Sequence, residues 1–371
     1  MTGFPGPLRR RGPRPLLLHL TRAMLNSPAS PSGSPSSSGG LGGLKDADRA
    51  LIAGIAAYRR HPWRRVLADP PAIWSEGGSR LLDYGGQGPP VLFVPSLVNR
   101  AHVLDLAPER SMLRWLAGQG MRVLLLDWGW PGEVERAFTL TDYVAGRLER
   151  ALLAGPERVI LAGYCMGGLL ALAAALRRPD RVRALALLAT PWDFHAGGAE
   201  QPRKLASVMP MLEPALAATR SLPIDVLQSL FAALEPDGVA AKYRAFARLD
   251  QASERARMFV ALEDWLNDGV PLAAPVAREC LAGWYGENTP GRGMWRIAGW
   301  PMAPEALDMP AFVAVPGRDR IVPPESALPL AARIKGAMLH QPAAGHVGMV
   351  AGSTGQRVLW EPLRAWVAGA A

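Results

Sequence analysis

One short stretch, Gly163-Tyr-Cys165-Met-Gly167-Gly168, concentrates the reactive chemistry legible in this sequence. The residues before it, Val159 to Ala162, read as a buried strand, and Leu169 to Leu176 after it read as an apolar helix, so Cys165 falls on a tight strand-to-helix turn. Such a turn needs glycines around the reactive residue, because larger side chains collide where the helix crosses close to the strand. The start of a helix also presents free N–H groups and a positive dipole end, which favour a thiolate over a thiol. A buried structural cysteine is the alternative, and the strand before, the helix after and the partners downstream weigh against it.

A thiol nucleophile needs a base, and the base needs an orienting group. Of the six histidines, His19 lies in the N-terminal tail, His61 beside Pro62, His102 beyond the loop after the first core strand, His195 at the start of an insertion, and His340 inside a strand candidate. His346, in Gly345-His346-Val347-Gly348, directly follows the last strand. Asp319, in Pro316-Gly-Arg-Asp319, follows the apolar run Ala311 to Val315, and the carboxyl ends of strands are where open α/β sheets keep their sites. Asp193 and Asp308 compete, but Asp308 precedes its strand and so belongs at the other end of the sheet. The chain order Cys165, Asp319, His346 is the order of the α/β-hydrolase group. An oxyanion hole is expected from the backbone N–H of Met166 and a second from Leu97 or Val98, in the loop Pro95 to Asn99.

These residues require a parallel sheet to hold them. Short apolar runs at Val91–Val94, Arg122–Asp127, Val159–Ala162, Ala184–Ala189, Ala311–Val315 and Ala337–Gln341 alternate with helical stretches at Met112–Gln119, Thr141–Leu153, Gly168–Arg178 and Glu325–Lys335. The fold class expected is α/β: a mostly parallel sheet flanked by helices, with a largely helical cap at 191–310 inserted between two late strands. The expected domains are a tail at 1–44, a core at 45–190 and 311–371, and that cap. Fifteen of the eighteen residues from Ser27 to Leu44 are Ser, Gly or Pro, so the tail is expected to be disordered. Ordered chain is expected from Asp46, with a helix through Leu51–Tyr58.

The net charge of +9 is concentrated at the start, where Arg9, Arg10, Arg11, Arg14 and Arg22 stand without an acid and leave +4 for the rest. With no zinc-finger spacing and no basic region leading into heptads, nucleic acid is not an expected partner. Cys165 and Cys280 lie far apart and form no disulfide framework, so a reducing cytosol is expected. The apolar stretch Leu16–Leu20, broken by His19, makes a poor signal peptide. The uncharged run of 18 residues from 159 to 176 nominally reaches membrane-spanning length, but it contains Gly163, Gly167 and Gly168 and is better read as the strand and helix around the cysteine. Cys280 has only Glu279 beside it, and no cluster suggests a metal.

With these residues assembled, the chain resembles the polyhydroxyalkanoate synthases, α/β-hydrolase-fold acyltransferases with a Cys-Asp-His triad. The box G-x-C-x-G-G matches Gly163–Gly168, and further similarity lies in Ser96–Leu106, Arg110–Gln119, Val123–Gly129, Thr190–Phe194 and Glu263–Asp268. The likeness runs from about residue 80 to 350, and the length is similar to the short form that works with a second, non-catalytic subunit. The resemblance implies polymerisation of 3-hydroxyacyl-coenzyme A into polyester with release of coenzyme A. It implies no cofactor beyond that thioester substrate. The partners implied are the growing polyester chain or granule, a second synthase subunit and a homo-oligomer, in the cytoplasm or on granules. One departure stands beside Asp319: the family commonly has His there, and this chain has Arg320, a permanent cation expected to hold the carboxylate ionised.

Cysteine suits this reaction on chemical grounds. A cysteine acyl-enzyme and a coenzyme A substrate are both thioesters, so loading keeps the acyl group activated, provided water is kept out. The insertion's Trp265, Trp284, Trp295 and Trp300 are expected to contribute to a dry cover or to the cap's own core. The alternatives are a cysteine-dependent hydrolase on the same scaffold, a polyester depolymerase or acyl-coenzyme A thioesterase, and a non-catalytic granule-surface protein.

Overall fold

The computed structural model describes residues 10–25, 46–234 and 238–370. Its contacts divide the chain into two compact units, one made of the N-terminal part through Arg65 together with Asp225–Asp268, the other of Val66–Ile224 and Gly269–Ala371. The inserted segment 191–310 therefore does not behave as one piece, because 225–268 groups with the N-terminal helices. None of this shows in composition, since the pairing joins apolar faces about two hundred residues apart.

The smaller unit is helical. Helices Leu16–Leu25, Asp46–Arg60, Gly238–Ala247 and Glu254–Asn267 contribute to it. Leu51, Ile55, Tyr58, Tyr243, Phe246, Ala256 and Val260 form its buried core. A β-carbon at Gly54 would stand 2.0 Å from the Tyr243 carbonyl oxygen, so glycine sets how closely those two helices approach. The expectation of a disordered tail over 1–44 is corrected for residues 10–25, and the remainder lies outside the described residues. Leu16–Leu25 is an α-helix. Arg10, read as part of a loose basic cluster, donates two hydrogen bonds of 2.6 Å to the Asp264 carboxylate, which also accepts one from the Tyr58 hydroxyl at 2.9 Å. An arginine count cannot distinguish a solvated tail from a bidentate ion pair with a carboxylate elsewhere in the chain.

The larger unit holds an eight-stranded sheet: β1 Ala72–Glu76, β2 Ser79–Asp83, β3 Pro90–Val94, β4 Arg122–Asp127, β5 Val159–Tyr164, β6 Val182–Leu188, β7 Ala311–Ala314 and β8 Met338–His340. The spatial order is β1-β2-β4-β3-β5-β6-β7-β8. The β1–β2 and β2–β4 pairings are antiparallel and the others parallel. The six strands read from apolar runs are β3 to β8. The first two escape that reading because β1 is mostly exposed and has no apolar run. Fully buried residues fill β5, and Val91–Val94 of β3 and Val123–Asp127 of β4 are buried too, as a sheet covered on both faces demands.

Chain connection reverses direction around β3, whose neighbours are β4 and β5. A crevice opens outside the carboxyl ends of strands at such a switch point. Pro95–Asn99 leaves β3 there, and Cys165 leaves β5 beside it. The insertion between β6 and β7 is largely helical, as expected. Two short antiparallel ladders were not foreseen, Ser221–Leu222 with Leu272–Ala273 and Arg296–Ile297 with Trp300–Pro301.

Candidate active site

Cys165 has φ 56° and ψ −130°, a conformation that side chains rarely adopt and that a sharp elbow imposes. It begins the helix Met166–Arg177, and its own N–H donates to the Leu188 carbonyl at 2.8 Å. The three glycines of the box are each dictated by contact. A β-carbon at Gly163 would lie 2.4 Å from the Gly168 α-carbon, one at Gly167 would lie 2.1 Å from the Val94 carbonyl oxygen, and one at Gly168 would lie 1.8 Å from Thr190 Oγ1. Because the obstruction at Gly163 is backbone on the facing helix, Gly163→Ala is expected to destabilise the protein by about 2–3 kcal/mol. A urea unfolding midpoint indistinguishable from wild type would show that the elbow can relax.

The acid and the base come from neighbouring loops. His346 Nδ1 and Asp319 Oδ2 are 2.6 Å apart, and both side chains are buried. The other carboxylate oxygen accepts the N–H groups of Ile321 at 2.8 Å and Val322 at 2.9 Å. Asp319 is thus fixed by backbone donors and the imidazole, while the Arg320 side chain is exposed. The two loops are joined by main-chain bonds, Arg318 N–H to the Ala344 carbonyl and Gly317 N–H to the Pro342 carbonyl, each 3.0 Å.

The imidazole also reaches the sulfur. Burial pushes the His346 pKa down, but the charge of Cys165 and hydrogen bonds to Asp319 and Cys165 outweigh it and raise the pKa to about 10. The structure therefore brings Cys165, His346 and Asp319 together in sequence, with the imidazole between the sulfur and the carboxyl group. The competitors stand elsewhere. Asp193 accepts from the His195 N–H at 2.9 Å and the Asn288 amide at 2.8 Å, and Asp308 is exposed ahead of β7. His195 and His340 bond to the carbonyls of Tyr285 and Val358. Cys280 is buried, and burial followed by the neighbouring Glu279 charge pushes its thiol well up. Among the described residues, no group of three or more His, Cys, Asp or Glu could hold a metal ion.

The expected oxyanion donors lie on two backbones in contact at Gly167 and Val94–Pro95. Met166 is the first residue of its helix, where an N–H has no intrahelical acceptor. The Val98 N–H donates to Ser96 Oγ at 3.1 Å, which favours Leu97 of the two candidates. Trp128, from the end of β4, donates its indole N–H to the Pro95 carbonyl at 3.0 Å and pins this loop.

Sequence reasoning missed three aromatic neighbours, Trp128, Tyr164 and Tyr285. Tyr285 is pushed to a higher pKa by burial and then by the charges of Cys165 and Cys280. Tyr164 could have been noticed as the residue inside the box, but its partner lies far along the chain. Trp284 and Trp295 are buried against each other at 5.6 Å, as cap core, whereas Trp300 is exposed; Trp265 belongs to the smaller unit.

Residues 89–352 match the alpha/beta hydrolase fold family. The chain is 29% identical over 310 residues to the poly(3-hydroxyalkanoate) polymerase subunit PhaC of Haloferax mediterranei, covering 80% of this chain and 63% of that one. It is 27% identical over 289 residues to the protein of the same name from Allochromatium vinosum, covering 75% and 80%. It spans less than two thirds of the haloarchaeal relatives, 63% of one and 60% of another. Among solved structures, the thioesterase domain from the curacin biosynthetic pathway shares the fold, with a TM-score of 0.50 and 17% identity over 80% of this chain and 97% of that one. No helix among the described residues is long and apolar enough to cross a membrane.

Proposed function

The chain belongs to the alpha/beta hydrolase fold family, and from that premise we propose that it is an acyltransferase that joins 3-hydroxyacyl units from their coenzyme A thioesters into a polyhydroxyalkanoate. The observation that carries this reading is a cysteine, rather than a serine, on the elbow, within reach of a buried His346–Asp319 pair. Likeness to the polymerase subunits of Haloferax mediterranei and Allochromatium vinosum supports it.

In this mechanism the Cys165 thiolate attacks the thioester carbonyl, and the backbone N–H groups of Met166 and Leu97 take the charge that develops on oxygen. The carbon–sulfur bond to coenzyme A breaks, and the departing thiolate takes the proton held on His346 Nε2. Neutral His346 then removes the proton from the 3-hydroxyl of the incoming unit. That oxygen attacks the Cys165 acyl group, an ester bond forms, and sulfur leaves as the thiolate that pairs again with imidazolium. Asp319 holds the imidazole and stabilises its charged form throughout. The thioester supplies the activation, so the reading calls on no cofactor and no metal.

In this reading the protein works in the cytoplasm at the surface of the granule it builds, as an oligomer or with a second subunit. The word subunit in its relatives' names supports assay with partners. Purified protein given 3-hydroxybutyryl-coenzyme A is expected to release thiol and deposit sedimenting polyester, and Cys165→Ser is expected to do neither. Thiol release with only free 3-hydroxybutyrate would replace the synthase by a hydrolase. Silence even with co-purified partners, alongside retained binding to polyester, would leave a non-catalytic granule protein.

A further inference from the structure

Acid and base loops are joined by main-chain hydrogen bonds, but the nucleophile stands on a different strand. A side chain next to Cys165 bridges that gap. Tyr164 closes β5, is buried, and donates its hydroxyl to the main-chain carbonyl oxygen of His346 at 3.3 Å. Its ring also lies 5.1 Å from the imidazole, centroid to centroid, at an interplanar angle of 36°. One residue therefore fixes the backbone that carries the base and packs an aromatic ring against the cation it becomes.

We propose that Tyr164 is a positioning residue for His346, holding the imidazole within reach of Cys165 through the hydroxyl-to-carbonyl bond and stabilising its charged form through ring contact. The proposal rests on the thiolate–imidazolium pair of the preceding section but not on the identity of the acyl substrate. Two consequences follow from the chemistry. Loss of the hydroxyl frees the His346 main chain to drift from the sulfur, and a drift of a few tenths of an ångström weakens a charged hydrogen bond steeply. Loss of the ring removes a face within cation–π range of a buried imidazolium, whose charge then has fewer neighbours that favour it. The charged or titratable groups acting on this imidazole are Cys165 from the elbow and Asp319 from the loop after β7, and Tyr285, in the helical segment Glu279–Gly286, feels the charge of the same Cys165. Burial and the charges of Cys165 and Asp319 keep the Tyr164 phenol well above its ordinary range, so it remains a hydrogen-bond donor at any working pH.

The test compares wild type, Tyr164→Phe and Tyr164→Leu by the rate of Cys165 alkylation with iodoacetamide across pH, which reads the thiolate without any acyl substrate. Buried Cys280 serves as the unreactive internal reference. Coenzyme A release from 3-hydroxybutyryl-coenzyme A gives the second readout, and near-ultraviolet circular dichroism gives the folded fraction. Tyr164→Phe is expected to raise the alkylation midpoint by about half a pH unit. It is expected to lower kcat about fivefold, with KM unchanged. Tyr164→Leu is expected to shift both further. A wild-type midpoint well below that of a free thiol, with variants superimposed on it, overturns the positioning role while leaving the pair intact. An ordinary free-thiol profile in wild type overturns the pair and the positioning role together. Activity lost only in proportion to folded protein, at an unchanged midpoint, makes Tyr164 a packing residue and overturns the proposal.

Discussion

Cys165→Ala is expected to fold as wild type and to lose thiol release by about 10⁴-fold or more, because the nucleophile has no substitute within the site. Cys280 cannot replace it, being buried with its thiol held protonated. The more informative companion is Cys165→Gly. With φ at 56° and ψ at −130°, the wild-type backbone sits where a β-carbon is strained, so glycine relieves a cost that alanine retains. Cys165→Gly is expected to be as inactive as Cys165→Ala yet about 1 kcal/mol more stable than it in urea unfolding. Equal stability of the two variants would mean that the elbow stores no strain, and residual turnover in either would mean that the nucleophile is elsewhere. Either variant also changes the base. Burial alone pushes the His346 pKa down, and the charge of Cys165 is the first of the influences pushing it up, so removing the sulfur is expected to bring the imidazole below its wild-type value of about 10. Titration of the His346 ring by NMR in Cys165→Ala measures that change directly.

The catalytic candidates were legible in the sequence because each sits where a regular element ends. Cys165, Asp319 and His346 follow β5, β7 and β8, and those strands are written as short apolar runs closed by Gly or Pro. The glycines of the elbow are legible for the same reason, since a β-carbon at any of the three meets atoms closer than 2.5 Å. What holds these residues in register was not legible. The bond from Tyr164 to His346 spans 182 positions, and the Trp128 bond to Pro95 joins a strand end to a loop by an indole donor that no periodicity announces. The β1–β2 hairpin was missed because β1 has one face toward solvent and the other only half covered. Where apolar runs are absent, strand reading has nothing to act upon.

The N-terminal region failed for a different reason. Composition averages over a window, and the window around residues 1–44 mixes a Ser/Gly/Pro stretch with Arg10 and the helix Leu16–Leu25. Arg10 is nearly fully buried, with 4% of its side chain exposed, and Asp264 receives it. Tyr58 donates to the same carboxylate, and Arg10 lies 5.4 Å from the centre of the Tyr58 ring. Such a cluster is defined by three distant sequence positions, and a charge count sees only a surplus of arginine. The grouping of 225–268 with these helices follows from the same kind of long-range fit, in which Tyr243 and Phe246 supply apolar surface to Leu51, Ile55 and Tyr58.

Asp319→Asn is expected to lower kcat by about 10³- to 10⁴-fold while leaving the fold in place. The amide oxygen of asparagine can still accept the N–H groups of Ile321 and Val322, so the loop keeps its local bonds. The amide nitrogen then faces His346 Nδ1, where a carboxylate oxygen stood at 2.6 Å. Two donors cannot face each other there, so neutral imidazole must carry its proton on Nε2, the nitrogen that ought to accept from the thiol. The base is thus turned the wrong way and also loses the negative charge that stabilised its protonated form. Both effects act on the same step, formation of thiolate, and iodoacetamide separates that step from substrate binding. The alkylation midpoint of Cys165 is expected to rise toward that of a free thiol, about 8.5. A kcat loss without that rise would place the role of Asp319 after acyl loading, in the attack by the 3-hydroxyl, where neutral His346 again needs Nδ1–H held by a carboxylate and Nε2 free to accept a proton.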